Sequence, residues 1–540
     1  MVAQLLIARG LGDTEVAKDF LRPRLERLHP PEAMGGMEIA VDRLQRALRD
    51  GEPILVHGDY DVDGICSTTL LTRVLRRAGG HVTPFIPHRL HDGYDLSMAG
   101  VRAAEAVGAR VVVTADCGTS AVEAVAALRT RGIDVIISDH HLPGGPLPDA
   151  LAVLNPRAPG NGYPDQDLAA VGVAFKLALA LARRLGIGDG FVYRMLDLVA
   201  LATIADVAPL RGENRLFARY GLKLMAESDH AGIRSLIRAA GLEGKRITAG
   251  RVGFILAPRL NAVGRLGHAL RGVELLLAES EAEANPIARE LEELNRARQE
   301  LDRGTLEEAR AMVERTDLEA NYGLVLAGEG WHAGVIGIVA SRIVEDTGRP
   351  ALLIALENGM GKGSGRSIGA FDLHGALGEC RDLLVRYGGH RAAAGLTVEA
   401  AQVDALRERF NAVALARLSA DDLVPELRID AELPLDMATT DMERVFAHFE
   451  PFGVGNPGPT FAARAVSLIG PPKPIGKDGL RFRLATSTGE LPGVGWGLAH
   501  LAPMLRAGAR MDVAWKLERD EYRGDGSLQA KVVDLVPSGG

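Results

Sequence analysis

His57-Gly58-Asp59-Tyr60-Asp61-Val62-Asp63-Gly64 follows directly on the apolar run Ile54-Leu55-Val56, and the reading of that junction decides the fold. A short apolar run that breaks into a polar, acidic turn predicts a buried strand whose end opens a site. The pattern recurs at Val82–Ile86, Val111-Val112-Val113, Val135-Ile136-Ile137 and Leu151–Leu154, with helical stretches such as Cys66–Arg77 and Ala121–Thr130 between them. Apolar strands alternating with helices predict a parallel sheet covered on both faces. The ends of such strands share one edge, and that edge is where α/β sheets hold their sites.

Three of those ends carry ligand-type side chains. Ile54–Val56 runs into His57, Asp59, Asp61 and Asp63; Val111–Val113 runs into Thr114-Ala115-Asp116; Val135–Ile137 runs into Ser138-Asp139-His140-His141. Carboxylates gathered in one pocket repel and desolvate poorly unless cations hold them. A mixed Asp/His set suits Mn²⁺ or a similar divalent ion better than Ca²⁺ or structural zinc. A carboxylate bridging two ions ~3.5–4 Å apart would make a two-metal hydrolase. Taken singly, an Asp-x-Asp after a strand is a turn or a helix cap, and a His-His pair is ordinary surface. Their co-occurrence on three strand ends counts against those readings.

Outward from this core the chain divides. Residues 1–50 read as a helical segment packed on the catalytic lobe, with Val41, Leu44 and Leu48 at helical spacing. The stretch from 51 to about 280 continues mostly helical after the strands, including Phe191–Asp206. A charged segment over 281–317, densest from Ala288 to Arg315, predicts one long connecting helix with a solvated face. Residues 318–425 form a second α/β unit, with strand Gly323–Ala327, helix Gly334–Glu345 and strand Ala351–Ala355. Residues 426–540 alternate with period two, as in Arg481-Phe482-Arg483-Leu484 and Met511–Leu517, and predict a small β-barrel domain.

Composition excludes several classes. With 47% hydrophobic and 24% charged residues in 540, the chain is globular and multidomain. No apolar run reaches the roughly 18 residues of a membrane helix, so no membrane association is expected. Met1–Arg9 lacks the pattern of a secretory signal. The three cysteines, Cys66, Cys117 and Cys380, are scattered, which suits a reducing compartment and not a zinc-thiolate site. A net charge of −8 gives no bulk signal for nucleic acid, so any such contact must rest on local basic groups.

The run Ser138–His141 resembles the signature of the DHH phosphoesterase superfamily. The chain as a whole is similar to that superfamily's bacterial single-strand-specific exonucleases. The likeness rests on His57–Gly64, Thr114–Thr119, Ser138–His141, Asp197–Leu210, Gly330–Arg342, Gly363–Ser367 and Tyr387–Gly395, in order, and on the later Pro451–Pro457. It implies a DHH lobe, a second lobe of DHHA1 type and a C-terminal domain of OB-fold type. It further implies 5′→3′ degradation of single-stranded DNA in repair and recombination, with two ions of Mn²⁺ or Mg²⁺. Carried over, Asp61, Asp63, Asp116, His140 and Asp206 match ion ligands, with Asp116 bridging. Asp59 is a further ligand, and His57 competes with it for the first ion. Catalytic roles fall to Asp116, His140, His141 and His390.

Substrate contacts carried over are Ser364, Arg366 and His390 in the second lobe, Arg89 and Tyr94 in the first, and Arg259, Asn261 and Arg265, with Arg265 favoured for a 5′-terminal phosphate. For Arg259 a salt bridge is the alternative. Trp331–Gly334 reads as a structural turn. Trp496, Trp515 and Phe482 read as core, leaving Arg481 and Arg483 as the candidate DNA face of the barrel. The likeness also implies a cytoplasmic monomer working with a single-strand-binding protein and a helicase. Some members of the family carry a further domain beyond the point where this chain stops. Other readings are a phosphoesterase of short RNA, 3′-phosphoadenosine phosphate, pyrophosphate or cyclic dinucleotides, and a non-catalytic DNA-binding scaffold. The barrel argues against the first and the intact acids against the second.

Overall fold

The structure is a computed structural model that describes residues 1–539 apart from 90, 94 and 521–525. Its first sheet contains β1 (Ile54–Gly58), β2 (Val82–Phe85), β3 (Val111–Ala115), β4 (Asp134–Ser138) and β5 (Ala152–Leu154), all parallel in the order β2-β1-β3-β4-β5. Every residue of β1 and β3 is buried, as apolar strands covered by helices require. Pairing continues beyond the strand ends: Asp59 N–H donates to Ala115 O, Asp116 N–H to Ser138 O and Asp139 N–H to Leu154 O, at 3.2, 3.0 and 3.0 Å. The ladder itself therefore sets three acids side by side.

The long helix is Glu281–Val313, 33 residues, capped by Ser280, whose side chain accepts from Glu283 N–H. One stripe of it is buried. Ala284, Ala288 and Leu291 pack into the first lobe, while Leu306 and Ala309 pack into the second. Between them Asn295, Arg298 and Asp302 are also buried, so its charges are not all a solvated face. The second sheet runs β6 (Leu324–Glu329), β7 (Ala351–Glu357), β8 (Met360–Arg366), β10 (Ala393–Glu399) and β9 (Leu384–Gly389), parallel only between β6 and β7.

The C-terminal sheet has seven strands in the order β11-β12-β16-β17-β15-β14-β13, from β11 (Ala431–Glu432), β12 (Phe461–Ser467), β13 (Lys473–Ile475), β14 (Gly479–Thr486), β15 (Gly489–Gly495), β16 (Arg510–Arg519) and β17 (Leu528–Pro537). A bridge from Leu468 to Leu484 curls it towards a barrel. Phe449, Phe461, Phe482 and Trp515 fill it. Trp496 departs from expectation: it is 54% exposed, because β15 ends at Gly495 and the indole lies across Gly476 and Gly479 on the surface.

The N-terminal segment also needs correction. Helix Met37–Asp50 packs on the first lobe as expected, but helices Val2–Ala8 and Thr14–Leu21 pack on the barrel, with Leu5 and Leu6 inside its core. Helical spacing identifies an apolar face but not which neighbour covers it. Among the described residues no helix is long and apolar enough to cross a membrane.

Candidate active site

Asp61 begins the helix Val62–Arg77, its carboxylate accepting from Asp63 and Gly64 N–H at 2.9 and 3.2 Å. That cap converts the end of β1 into a tight acidic turn. Gly64 is required there, since a Cβ would fall 2.4 Å from Asp59 O. Asp63 is fully enclosed and accepts from Ala170 and Val171 N–H, each at 2.8 Å, at the start of helix Ala170–Leu185. Asp116 sits at φ 70°, a left-handed turn that Asp tolerates. Asp206 closes the buried helix Leu196–Ala205 as its C-terminal cap.

These residues converge. Ligand atoms of Asp59, Asp61 and Asp116 lie within 4.8 Å of one another, as do those of Asp63, His140 and Asp206, and those of Asp116, His140 and His141. Asp116 and His140 are common to two groups each, which suits a pair of ions sharing a bridging carboxylate. Asp59 Oδ1 and Asp116 Oδ1 are buried without a hydrogen-bond partner. Such orphaned acceptors need a cation to offset their burial. Burial, and then repulsion from Asp63, Asp61 and Asp59, pushes the Asp116 carboxyl well above the usual range. Burial and the neighbouring acids do the same at Asp206, and bring Asp63 up to about 7.

His140 Nδ1 lies 3.2 Å from Leu168 O, which selects the tautomer that leaves Nε2 a free lone pair facing Asp116 at 3.4 Å. Burial pushes its pKa down to about 4, keeping the ring neutral as a ligand must be. Asp139 accepts from His140 N–H, His141 N–H, His141 Nδ1 and Thr119 N–H, at 2.7, 3.2, 2.7 and 2.9 Å. Its carboxylate is saturated, so it orients the histidines instead of joining the ligand groups. Against its burial, the bond to Asp139 raises His141 to about 9. The only mark of Asp139 in the sequence is its place inside Ser138–His141. Asp95 was missed; it fixes the turn after Asp116 by accepting from Gly118 N–H at 2.6 Å.

His57 lies outside these groups. Its ring packs against Phe85, with Cys117 Sγ 3.5 Å from Nδ1 and Nε2 directed at Gly100, where a Cβ would come within 2.7 Å. The geometry favours Asp59 over His57.

The substrate candidates divide. Arg366 and Ser364 meet on β8, with Arg366 Nη1 donating to Ser364 Oγ at 3.2 Å. They face the start of helix Ile336–Thr347, where a Cβ on Gly337 would lie 2.9 Å from Ser364 Oγ and 3.1 Å from Arg366 Nη2. Arg265, largely buried, donates to Gly334 O across the lobes at 2.7 Å. Burial and the nearby charges of Arg89, Arg298 and Arg366 lower it to about 10. This cationic group beside Asp61 suits an anionic ligand. Arg89 also lies over the Tyr60 ring at 4.6 Å.

Arg259 takes the alternative reading, donating to Glu292 on the long helix at 2.6 Å. Asn261 instead accepts from Val62 N–H at 3.3 Å and so supports the acidic turn. His390 stands exposed at the β9–β10 hairpin, its N–H donating to Ala393 O at 2.8 Å. Tyr94 falls outside the described residues. Trp331 Nε1 donates to Glu308 at 2.7 Å and His332 Nδ1 accepts from Gly334 N–H at 3.0 Å, so that turn docks the second lobe.

Comparison with known proteins matches residues 53–203 to the DHH family N-terminal domain, 320–415 to the DHHA1 domain and 429–534 to the RecJ OB domain. The single-stranded-DNA-specific exonuclease RecJ of Bacillus subtilis is 36% identical over 542 residues, covering 100% of this chain and 68% of that protein. The crystal structure of RecJ in complex with Mn²⁺ from Thermus thermophilus superposes with a TM-score of 0.85 at 35% identity, covering 100% of this chain and 76% of that one. The Mg²⁺ complex from the same organism gives 0.79 at 32%, covering 100% and 75%.

Proposed function

The chain belongs to the RecJ family of the DHH superfamily, and on that premise we propose how its site degrades a single DNA strand. It is a metal-dependent exodeoxyribonuclease acting on single-stranded DNA, with Mn²⁺ or Mg²⁺ as cofactor. The observation that carries the reading is the convergence of three ligand groups, linked by Asp116 and His140, each of which belongs to two of them. Two divalent ions bound there would supply a hydroxide nucleophile at neutral pH and offset charge on the phosphate oxygens. The chain's own groups do the rest. Asp59, Asp61, Asp63, Asp116, His140 and Asp206 hold the ions. Asp139 fixes His141 through its Nδ1, setting the ring beside the scissile phosphate. Arg366, Ser364 and Arg265 clamp a terminal phosphate, with Arg89 and His390 along the backbone; the 5′→3′ direction is taken from the family likeness.

Beyond the acids, a cleft of about 1750 Å³ separates the first lobe from the barrel. It is lined by Phe254, which is 87% exposed, by Trp496, and by Arg481, Lys516 and Lys531. Aromatic faces between cations suit a single strand. The proposed form is a monomer, on family likeness. The proposed partners are a single-strand-binding protein and a helicase, which would present the strand. Buried free thiols and a DNA substrate together fit the bacterial cytoplasm.

The test is digestion of internally labelled single strands carrying a 5′ or a 3′ phosphate, with Mn²⁺. Nucleotides should appear from the 5′ end; release from the 3′ end would sink the 5′→3′ direction. Asp116→Ala should lower kcat by roughly 10³-fold or more while strand affinity stays within a few-fold.

A further inference from the structure

Helix Leu196–Ala205 ends in a Schellman turn: Ala208 N–H donates to Thr203 O and Val207 N–H to Ile204 O, each at 3.2 Å. The residue at the turn's left-handed position is ordinarily glycine. Here it is Val207, at φ 61°. A β-branched residue takes that conformation only when its surroundings impose it. The side chain is 61% exposed, so burial does not compensate. Asp206, immediately before it, is one of the candidate ion ligands.

The segment just after the turn, Pro209-Leu210, meets the barrel domain. Leu210 N–H donates to Val454 O at 2.7 Å, joining the segment after Asp206 to the loop Phe452–Pro457. The fit is close: a Cβ on Gly453 would lie 2.7 Å from Leu210 Cδ1, and one on Gly455 would lie 3.0 Å from Pro209 Cβ. Gly455 is itself at φ 71°. The loop is rigid from behind. Asn456 Nδ2 donates to Phe449 O and Pro451 O, both at 2.8 Å, and Arg9 donates to Asn456 Oδ1 and to Pro457 O.

We propose that the barrel's Gly453–Asn456 loop is a positioning element for the ion site, holding the strained Val207 turn so that Asp206 stays aimed at the ions. The barrel then does more than guide the strand, because its seating sets a ligand's place. This rests on Asp206 being a ligand, and the experiment separates the two ideas.

Mn²⁺ is titrated into the full-length chain and free Mn²⁺ is read by electron paramagnetic resonance, so turnover does not enter. The proteins are wild type, Gly455→Ala, Arg9→Ala, each of those combined with Val207→Gly, and Asp206→Ala. Arg9→Ala loosens the loop from its far side and serves if Gly455→Ala does not fold. Loop variants should bind Mn²⁺ up to roughly 10-fold more weakly, as for other residues that orient a ligand, and Val207→Gly should restore much of the loss by removing the strain. Unchanged affinity in both loop variants while Asp206→Ala binds weakly overturns the positioning role and leaves the ligand assignment standing. Unchanged affinity in Asp206→Ala removes the ligand assignment and the proposal with it. Weakening that Val207→Gly fails to relieve also overturns it, since general loosening of the domain would do the same.

Discussion

Asp59, Asp63, Asp116 and Asp206 are all pushed upward by burial first and by neighbouring acids second, Asp61 for Asp59 and Asp63, and Asp63 with Asp61 for Asp116 and Asp206. In the metal-free protein the folded state therefore holds protons that the unfolded chain, with Asp at about 3.9, has already released. Stability from these groups is present at low pH and lost as pH rises through the folded values, about 7 for Asp63. His57 and His140, both held at about 4, work the other way by two protons, and the four carboxylates, joined by His141 raised to about 9, outweigh them. Asp139, held low, is ionised in both states above pH ~4 and adds no slope there. Melting curves in chelator should thus fall from pH 5 to 8, whereas added Mn²⁺ should raise Tm most at pH 8. A Mn²⁺ increment independent of pH would mean that the ion does not replace these protons.

At the scale of elements, the acidic turn is held from outside by helix Ala257–Leu266. Asn261 supports Val62, and Gly264 presses so close to Tyr60 that a Cβ would lie 2.2 Å from its carbonyl oxygen. The contact is with backbone and cannot be relieved by a rotamer. Gly264→Ala should cost about 1–3 kcal/mol by denaturant midpoint, and should reduce kcat more than it raises KM because the displaced element carries Asp61. A variant with lower stability but wild-type kcat would separate this helix from the ion site. The first sheet itself was legible from the amino acids: apolar runs of a few residues admit little else. The connecting helix was legible as a helix, but its buried Arg298 and Asp302 were not, since a charge sequence does not reveal that two lobes meet over it.

Across the whole molecule the chain's two ends meet. Leu5 is fully buried in the barrel, Phe20 lies edge-on to Phe449 at 5.6 Å, and Arg215 of the first lobe donates to Phe449 O at 2.9 Å. The barrel core is therefore completed by residues more than 400 positions away in sequence. Leu5→Ala should cost about 2–5 kcal/mol, seen as an early thermal transition, and removing residues 1–21 should expose the barrel core and promote aggregation. Unaltered melting of Leu5→Ala would place that helix outside the barrel in solution.

The amino acids alone determined the parallel sheet, the acid-bearing strand ends and the period-two character of the C-terminal region, because each follows from local alternation of apolar and polar residues. Family likeness added Asp206, which sits in an apolar helix with no local mark of chemistry. Tertiary structure alone decided the rest. It put Asp59 in a ligand group with Asp61 and Asp116 and left His57 packed against Phe85, Cys117 and Gly100. It gave Arg259 to Glu292, put Trp496 on the surface and sent the first two helices to the barrel. In each case the deciding quantity is which distant surface covers a side chain, and local sequence pattern does not carry that information.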